Sequence, residues 1–388
     1  MSEESLPKIY QRSEHVVSRA NIDQDALKII YRLIRSGHIA YLVGGGVRDL
    51  LLGKTPKDFD IATDATPRQV KTLFRNSRII GRRFKLVHIF FSGGKNIEVS
   101  TFRDSSEEPL DNVFGSAETD ARRRDLTINA LFYNPADYTI IDYVGGIEDL
   151  RQGIIRVIGD PNIRFQEDPV RMLRVVRHAS RTGFEIDPWC GQALKDGKDL
   201  LKTASQVRVY EEFRKDLSAG YSLESLRGLL KYDLLGMLLP NFSILGANFL
   251  DEGAHLPICL ERIDQLVRAG HSISSSVTLA TLFLKIEPHL MDEGDDSYDI
   301  GEIIKYAFDS LVVPRKERER IEALAVAFKQ AVEVQENGGS IKKSRFVESD
   351  ELIILYGVFF GEESANWIKG QLNKSSGQKR RNKSKIAA

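Results

Sequence analysis

An α+β head followed by an all-helical neck and body is the fold class that the sequence predicts, and three observations predict it. Between residues 40 and 142, short apolar runs rich in branched and aromatic residues alternate with glycine and proline breaks and one helical stretch, which is the pattern of a small mixed sheet. From residue 167 to about residue 360, apolar residues recur at helical spacing almost throughout. The chain has 388 residues, 42% of them hydrophobic and 28% charged, enough for two or three domains with a sizeable core.

Taken in order, residues 1–20 read as a polar lead-in. A helical pattern starts at Asn21, where Ala26, Ile29, Ile30 and Leu33 fall on one face. Strands are expected at residues 41–43, 59–61, 84–91, 97–102, 130–133 and 139–141, with a helix at 67–74 and a hairpin turn at Gly93 and Gly94. This gives a lead-in (1–20), a head (21–160), a helical neck (161–225), a helical body (226–373) and a tail (374–388). The tail carries Lys374, Lys379, Arg380, Arg381, Lys383 and Lys385 without one acidic residue, a composition expected to stay disordered.

The bulk properties exclude more than they assign. Fifty-five Lys and Arg balance 55 Asp and Glu, so overall charge gives no hint of nucleic acid and only local patches can. Cys190 and Cys259 are the only cysteines and form no ligand-spaced cluster, which argues against a disulfide framework or a zinc site. No signal-peptide core follows Met1, and no apolar run reaches membrane-spanning length. A cytoplasmic protein without a membrane partner is the expectation.

Chemistry concentrates first at residues 44–63. Asp58 and Asp60, in Lys57-Asp-Phe-Asp-Ile-Ala-Thr63, stand two apart in an expected strand, so both carboxylates point to one face and can grip one hard cation. Mg²⁺ favours one or two carboxylates together with phosphate oxygens, which suits a nucleoside triphosphate. Upstream, Gly44-Gly-Gly-Val-Arg-Asp49 follows the apolar Tyr41-Leu-Val43, so the backbone there can approach a phosphate closely before a helix begins. A polar strand end beside an ordinary turn is the bland alternative, and the pairing of the two features is what favours the metal.

With Arg123-Arg-Asp-Leu-Thr-Ile-Asn-Ala130 and Glu167-Asp-Pro-Val-Arg171 added, the four motifs, in order over residues 40–185, resemble those of the class II nucleotidyltransferases. That family holds the tRNA CCA-adding enzymes and the bacterial poly(A) polymerases. The resemblance implies a polymerase β-like head in which Asp58 and Asp60 hold two Mg²⁺ ions, while Gly45 and Arg48 contact the triphosphate. It also implies that Asp125 belongs to the active site. Glu98, on an expected strand beside the Asp-x-Asp strand, is the other candidate for a third carboxylate, and a structural ion pair is its plainer reading. Arg124 would bind phosphate in a bidentate way that lysine only partly mimics.

Arg171, Arg174, Arg177 and Arg181 fall on one stripe at about 100° per residue. Alone, the stripe reads as a solvated helix face. The resemblance instead makes Asp168 and Arg171 a protein template for the edge of the incoming base, with Arg174 and Arg177 facing phosphates or bracing that template. A carboxylate accepts from an exocyclic amine and a guanidinium donates to ring acceptors, so adenine and cytosine are the bases selected.

Poly(A) and CCA addition share every motif above. Ile79-Ile-Gly-Arg-Arg-Phe-Lys-Leu-Val-His-Ile89 is similar to the signature of the bacterial poly(A) polymerases, with Arg82, Arg83 and Lys85 as candidate RNA contacts. Residues 104–119 resemble the family's flexible loop, which helps set nucleotide choice. Lys379, Arg380 and Arg381 of the tail are further RNA-binding candidates. The first reading is thus AMP addition from ATP to RNA 3′ ends, a role the resemblance links to RNA decay. CCA addition with CTP and ATP is the second reading, and a catalytically silent RNA-binding protein the third.

Overall fold

The structure, a computed structural model, describes residues 6–81, 86–103, 115–246, 248–290, 299–341 and 349–373. These form two compact units, one built from residues up to Arg164 together with Gly183–Cys190, the other from Phe165–Thr182 and the chain beyond Gly191.

The first unit is an eight-stranded mixed sheet. Its strands are β1 (Lys8–Tyr10), β2 (Ala40–Val43), β3 (Asp60–Thr63), β4 (Ser77–Ile80), β5 (Leu86–Phe90), β6 (Asn96–Thr101), β7 (Leu131–Asn134) and β8 (Thr139–Asp142). They lie in the order β1-β8-β7-β2-β3-β6-β5-β4. Every neighbouring pair is antiparallel except β3 and β6, which run parallel with Ile61 opposite Val99.

Alternation along the strands separates two faces. One face sends Leu42, Ile61, Val87, Val99 and Leu131 into a core completed by α1 (Gln24–Arg35), α2 (Gly45–Leu51) and α3 (Pro67–Leu73). Ala26, Ile29, Ile30 and Leu33 of α1 are all buried there. Asp23 caps that helix by accepting from the amides of Asp25 and Ala26. The other face carries Val43, Ala62 and Phe132 in a smaller core with Ala121 of α4 (Ala117–Arg122). Its far half, over β4 and β5, stays open: Ile80 and Phe90 are 37% and 41% exposed.

Past β8, Asp142 accepts from the amides of Val144, Gly145, Gly146 and Ile147 and so fixes the start of α5 (Gly146–Gln152). A short parallel pair, β9 (Ile154–Ile155) and β10 (Glu185–Ile186), completes the unit.

The rest is helical: α6 (Pro161–Glu167), α7 (Arg171–Thr182), α8 (Pro188–Asp196), α9 (Gln206–Leu217), α10 (Ser222–Lys231) and the single turn α11 (Leu235–Leu238). Then follow α12 (His255–Arg268), α13 (Ser275–Ile286), α14 (Ile300–Ala307), α15 (Arg315–Asn337), α16 (Ser349–Phe360) and a helical run over residues 362–373. Among the described residues, no helix is long and apolar enough to cross a membrane.

Four expectations change. Lys8–Tyr10 is not mere lead-in but an edge strand, paired to β8. Ser77–Ile80 forms a strand the sequence did not announce, because one exposed edge needs little apolar alternation. The strand expected at 59–61 begins at Asp60, which leaves Asp58 in the segment before it, outside the strand. Glu185–Ile186 interrupts the helical span, returning to the first unit through its pairing with β9.

Candidate active site

Gly44 ends β2 and stands at the N-cap of α2 with φ +71° and ψ −141°, a conformation that L side chains rarely adopt. A Cβ placed on it would lie 3.4 Å from Arg124 Nη1 and 3.9 Å from Asp60 Oδ2. The glycine turn, the strand carboxylate and the arginine of the third motif therefore converge. Gly46 permits a second close approach, since its missing side chain lets the Asp58 carbonyl come within 3.2 Å of where a Cβ would be.

Asp60 pairs with Val43 across the sheet. One step before the Ile61–Val99 pair, it also lies beside Glu98 of β6, on the same face. Burial pushes its carboxyl up to about 6, and the neighbouring charge of Glu98 adds to this. Arg124 opposes the shift and Asp58, which is exposed, adds a smaller push in the same direction. Asp60 and Glu98 thus stand side by side near one guanidinium, the one or two carboxylates that a divalent cation takes together with phosphate oxygens, although no set of three carboxylates converges there among the described residues. Across the next pair, Glu98 faces His88, whose Nε2 lies 3.4 Å from Glu98 Oε2. Glu98 therefore stands between a histidine contact on one side and Asp60 on the other.

Arg124 is held in its pose. Its Nε and Nη2 donate to Asp120 Oδ2 at 3.2 and 2.9 Å, its Nη1 to the Asn129 carbonyl at 3.3 Å, and its guanidinium sits 5.2 Å over the Phe132 ring. Asp120 also accepts from Arg123 Nη2 at 2.6 Å. Burial works against the charge of Asp120, but Arg124 and Arg123 outweigh it and hold its carboxyl pKa below the usual carboxylate range. Arg164 Nη2 pins the loop from behind, donating to the carbonyls of Arg123 and Arg124. Sequence reasoning missed Asp120, although its spacing of three and four residues before the arginines on a helix was a usable signal.

Two further expected residues have partners of their own. Arg48 is 3% exposed and turned into the fold, with Nη2 donating to Asp49 Oδ1 at 2.7 Å and Nη1 to Asn129 Oδ1 at 2.6 Å. A buried guanidinium needs such partners, and here they hold it against the glycine turn. Asp125 is half-buried, with its carbonyl accepting from the Ile158 amide at 3.2 Å. Gly45 lies against the Arg48 guanidinium, at 3.4 Å from a Cβ position.

In the second unit, Asp168 Oδ2 accepts from Arg208 Nη2 at 2.8 Å, while Oδ1 is buried with no hydrogen-bond partner among the described residues. Arg171 opens α7, its amide bonded to the Asp168 carbonyl and its Nη1 donating to Glu167 at 2.7 Å. Arg174 reaches Glu212 at 3.4 Å. Arg177 is 9% exposed and paired with Glu212, with Asp216 3.6 Å away. Facing a phosphate is thus not the role Arg177 plays here; bracing α7 against α9 is. Glu212 carried no local signal, lying 35 residues from its partner (212 − 177). Arg82, Arg83, Lys85, Lys379, Arg380 and Arg381 lie outside the described residues, as do residues 104–114 of the expected loop.

Known proteins resemble this chain along most of its length. The family described as "Poly A polymerase head domain" matches residues 40–156, and that described as "Probable RNA and SrmB- binding site of polymerase A" matches residues 183–245. Poly(A) polymerase I of Escherichia coli O157:H7 is 39% identical over 340 residues, covering 79% of this chain and 72% of that one. The CCA-adding enzyme of Bacillus subtilis is 41% identical over 212 residues, 53% of either chain. Among solved structures, the Bacillus stearothermophilus CCA-adding enzyme in complex with CTP aligns with a TM-score of 0.64 at 27% identity, covering 91% of this chain and 82% of that one.

Proposed function

We propose, for a chain that belongs to the class II nucleotidyltransferase family of bacterial poly(A) polymerases and CCA-adding enzymes, that it adds AMP from ATP to RNA 3′ ends without a template. The observation that carries the chemistry is the convergence of Asp60 and Arg124 on the Gly44 turn, with Glu98 beside Asp60. The preference for AMP rests on extent of likeness: the match to a poly(A) polymerase spans 79% of the chain, that to a CCA-adding enzyme 53%.

In this reading Asp58 and Asp60 would hold Mg²⁺, with Glu98 beside Asp60 and Asp125 of the third motif as the two candidates for a further carboxylate. When bound, Mg²⁺ supplies activation of the RNA 3′-hydroxyl and charge neutralisation at the triphosphate. Arg124, fixed by Asp120 and Asn129, presents a preorganised positive charge to the phosphates, so little reorganisation is needed as charge develops. The absence of a Cβ at Gly44 lets a phosphate approach the backbone beside it. The open strands next to Glu98, with Phe90 exposed, are where we assign the RNA end.

Base choice is assigned to Asp168 and Arg171. The buried, unpartnered Oδ1 of Asp168 is an acceptor waiting for a donor, and the exocyclic amine of adenine or cytosine supplies one where guanine and uracil present a carbonyl. Removing that acceptor should relax selection. Asp168→Ala is expected to lower the preference for ATP over GTP by about tenfold or more, the worth of one hydrogen bond to a charged group. Competition between the two nucleotides in a single incubation measures it, and an unchanged ratio would move the template elsewhere.

The test of the function itself offers each NTP singly, with Mg²⁺, to an unstructured RNA and to a tRNA lacking its terminal CCA. Long ladders with ATP alone on the unstructured RNA are the expected result. Addition of two C and one A confined to the tRNA would make the chain a CCA-adding enzyme. RNA binding without incorporation would make it a silent relative.

A further inference from the structure

We propose that the outward face of α1 is a second RNA-binding surface, which holds phosphates of single-stranded RNA upstream of the reacting end; it rests on the nucleotidyltransferase reading above. A groove of about 720 Å³ runs along this face, lined by Gln24, Lys28, Tyr31, Arg32 and Arg35 of α1 and by Arg19 from the turn before it. Four cations and no carboxylate line it, in a chain whose net charge is zero. The positive charge is therefore a local feature rather than a share of a basic surface.

Two of the four cations are held by neutral groups. Arg19 Nη1 donates to Tyr31 Oη at 2.7 Å, and that hydroxyl in turn donates to the Pro135 carbonyl at 2.9 Å. The Arg19 guanidinium lies 4.3 Å over the Tyr138 ring and that of Arg32 lies 5.0 Å over Phe74. Such contacts orient a guanidinium while leaving its charge uncompensated. Among the described residues, no carboxylate lies in ion-pair range of Arg19, Arg32 or Arg35. Lys28 pairs with Asp25 at 3.0 Å, but Asp25 is shared with Lys95.

A purely structural account covers part of this. Arg32 and Arg35 stand in the last turn of α1, where cations complement the negative end of the helix. Arg19 lies outside the helix and Lys28 in its middle, so helix electrostatics explain neither. A preoriented row of guanidinium groups without anions matches a regularly spaced polyanion, and RNA is the polyanion this family handles. Because α1 covers the sheet face opposite Asp60 and Glu98, RNA held there is not the end being extended. The surface would serve only RNA long enough to pass from one face to the other.

The experiment compares the full chain with a Lys28→Gln, Arg32→Gln, Arg35→Gln variant; glutamine keeps helix propensity, and Arg19 is left in place because it anchors Tyr31. Binding is titrated directly, and AMP addition followed, with RNAs of about six and about thirty nucleotides, lengths below and above typical single-strand site sizes. The expected result is an unchanged KM for the short RNA and a rise of about tenfold for the long one. The slope of log affinity against log salt for the long RNA should shrink by about 2, as three lost phosphate contacts require. An Arg32→Lys, Arg35→Lys variant should retain binding because it retains charge. Equal behaviour of the triple variant and the parent on long RNA overturns the surface, and so does an equal loss on both lengths. Absence of AMP addition by the parent chain overturns the function instead, and the binding titration then still decides the surface.

Discussion

Asp60→Asn is expected to lower AMP incorporation by at least about 10³-fold while leaving RNA affinity intact and metal-free stability undiminished. Asparagine keeps the shape and the acceptor oxygen, and it removes the charge that a cation needs. The stability half of the expectation comes from the surroundings. Burial and the charge of Glu98 raise the Asp60 carboxyl to about 6, above its ordinary 3.8. A carboxyl with a raised folded value contributes stability that is complete below its unfolded value and is lost as pH rises through the folded one. At neutral pH the metal-free protein therefore carries an unfavourable charge at this position, and the substitution removes it. Divalent cation should raise the melting temperature of the parent chain and leave that of the Asp60→Asn variant where it was. Activity of the parent should fall as pH drops through about 6, where protons compete for the same oxygens, and extra Mg²⁺ should move that limb to lower pH. Turnover comparable to the parent, or a fall in melting temperature without metal, would remove Asp60 from the cation site.

What could be read from the chain depended on how locally each feature is determined. Gly44 and Asp60 belong to short motifs whose backbone requirements are written in a few residues, and both stand where those motifs suggested. The strands of the sheet centre were legible because each buries one face and alternates. The edge strands β1 and β4 were not, since an edge pairs on one side only and Lys8–Tyr10 buries no residue. Glu98 could be offered as a neighbour of the acid pair, but only the parallel register of β3 and β6 puts it beside Asp60. Arg48 shows what a short motif leaves out. Its motif invites a phosphate contact, yet Asp49 and Asn129 enclose the guanidinium, and Asn129 is distant in sequence. The arginine stripe of α7 likewise read as one face with one fate, whereas its members split by depth: Arg174 is partly exposed and Arg177 is buried.

That split leads to the other large effect. Arg177→Met is expected to destabilise the fold by about 3–5 kcal/mol, the usual result of removing one partner from a buried ion pair. Arg174→Gln, at the exposed end of the same row, should cost no more than about 1 kcal/mol. The difference lies in what is left behind. Glu212 is 5% and Asp216 1% exposed, and neither Asp216 oxygen has a hydrogen-bond partner among the described residues. Burial opposes the charge of Glu212, but Arg177 and Arg174 outweigh it and hold the carboxyl down at about 2. Asp216, wholly enclosed, is pushed the other way, up to about 8, although Arg177 pulls against the rise. Without Arg177 both groups lose their main source of positive potential, so both carboxyls shift upward and both favour the protonated form. The sign then fixes the pH dependence. The penalty should be largest at alkaline pH, where both carboxylates are buried in charged form without their principal partner, and should shrink as acid neutralises them. Urea unfolding at pH 8 and at pH 5 measures it, and a penalty equal at both would mean that lost packing rather than lost charge is responsible. Adding Glu212→Gln and Asp216→Asn to Arg177→Met should return part of the stability, because a neutral polar group is less costly to bury than an unpaired charge. Because α7 begins at Arg171, directly after Asp168 and Pro169-Val170, the same brace that stabilises the unit also fixes the helix that carries the pair to which base choice is assigned above. In the Arg177→Met variant, a fall in ATP-over-GTP preference beyond the fall in folded fraction would show that the buried charges serve selection as well as stability.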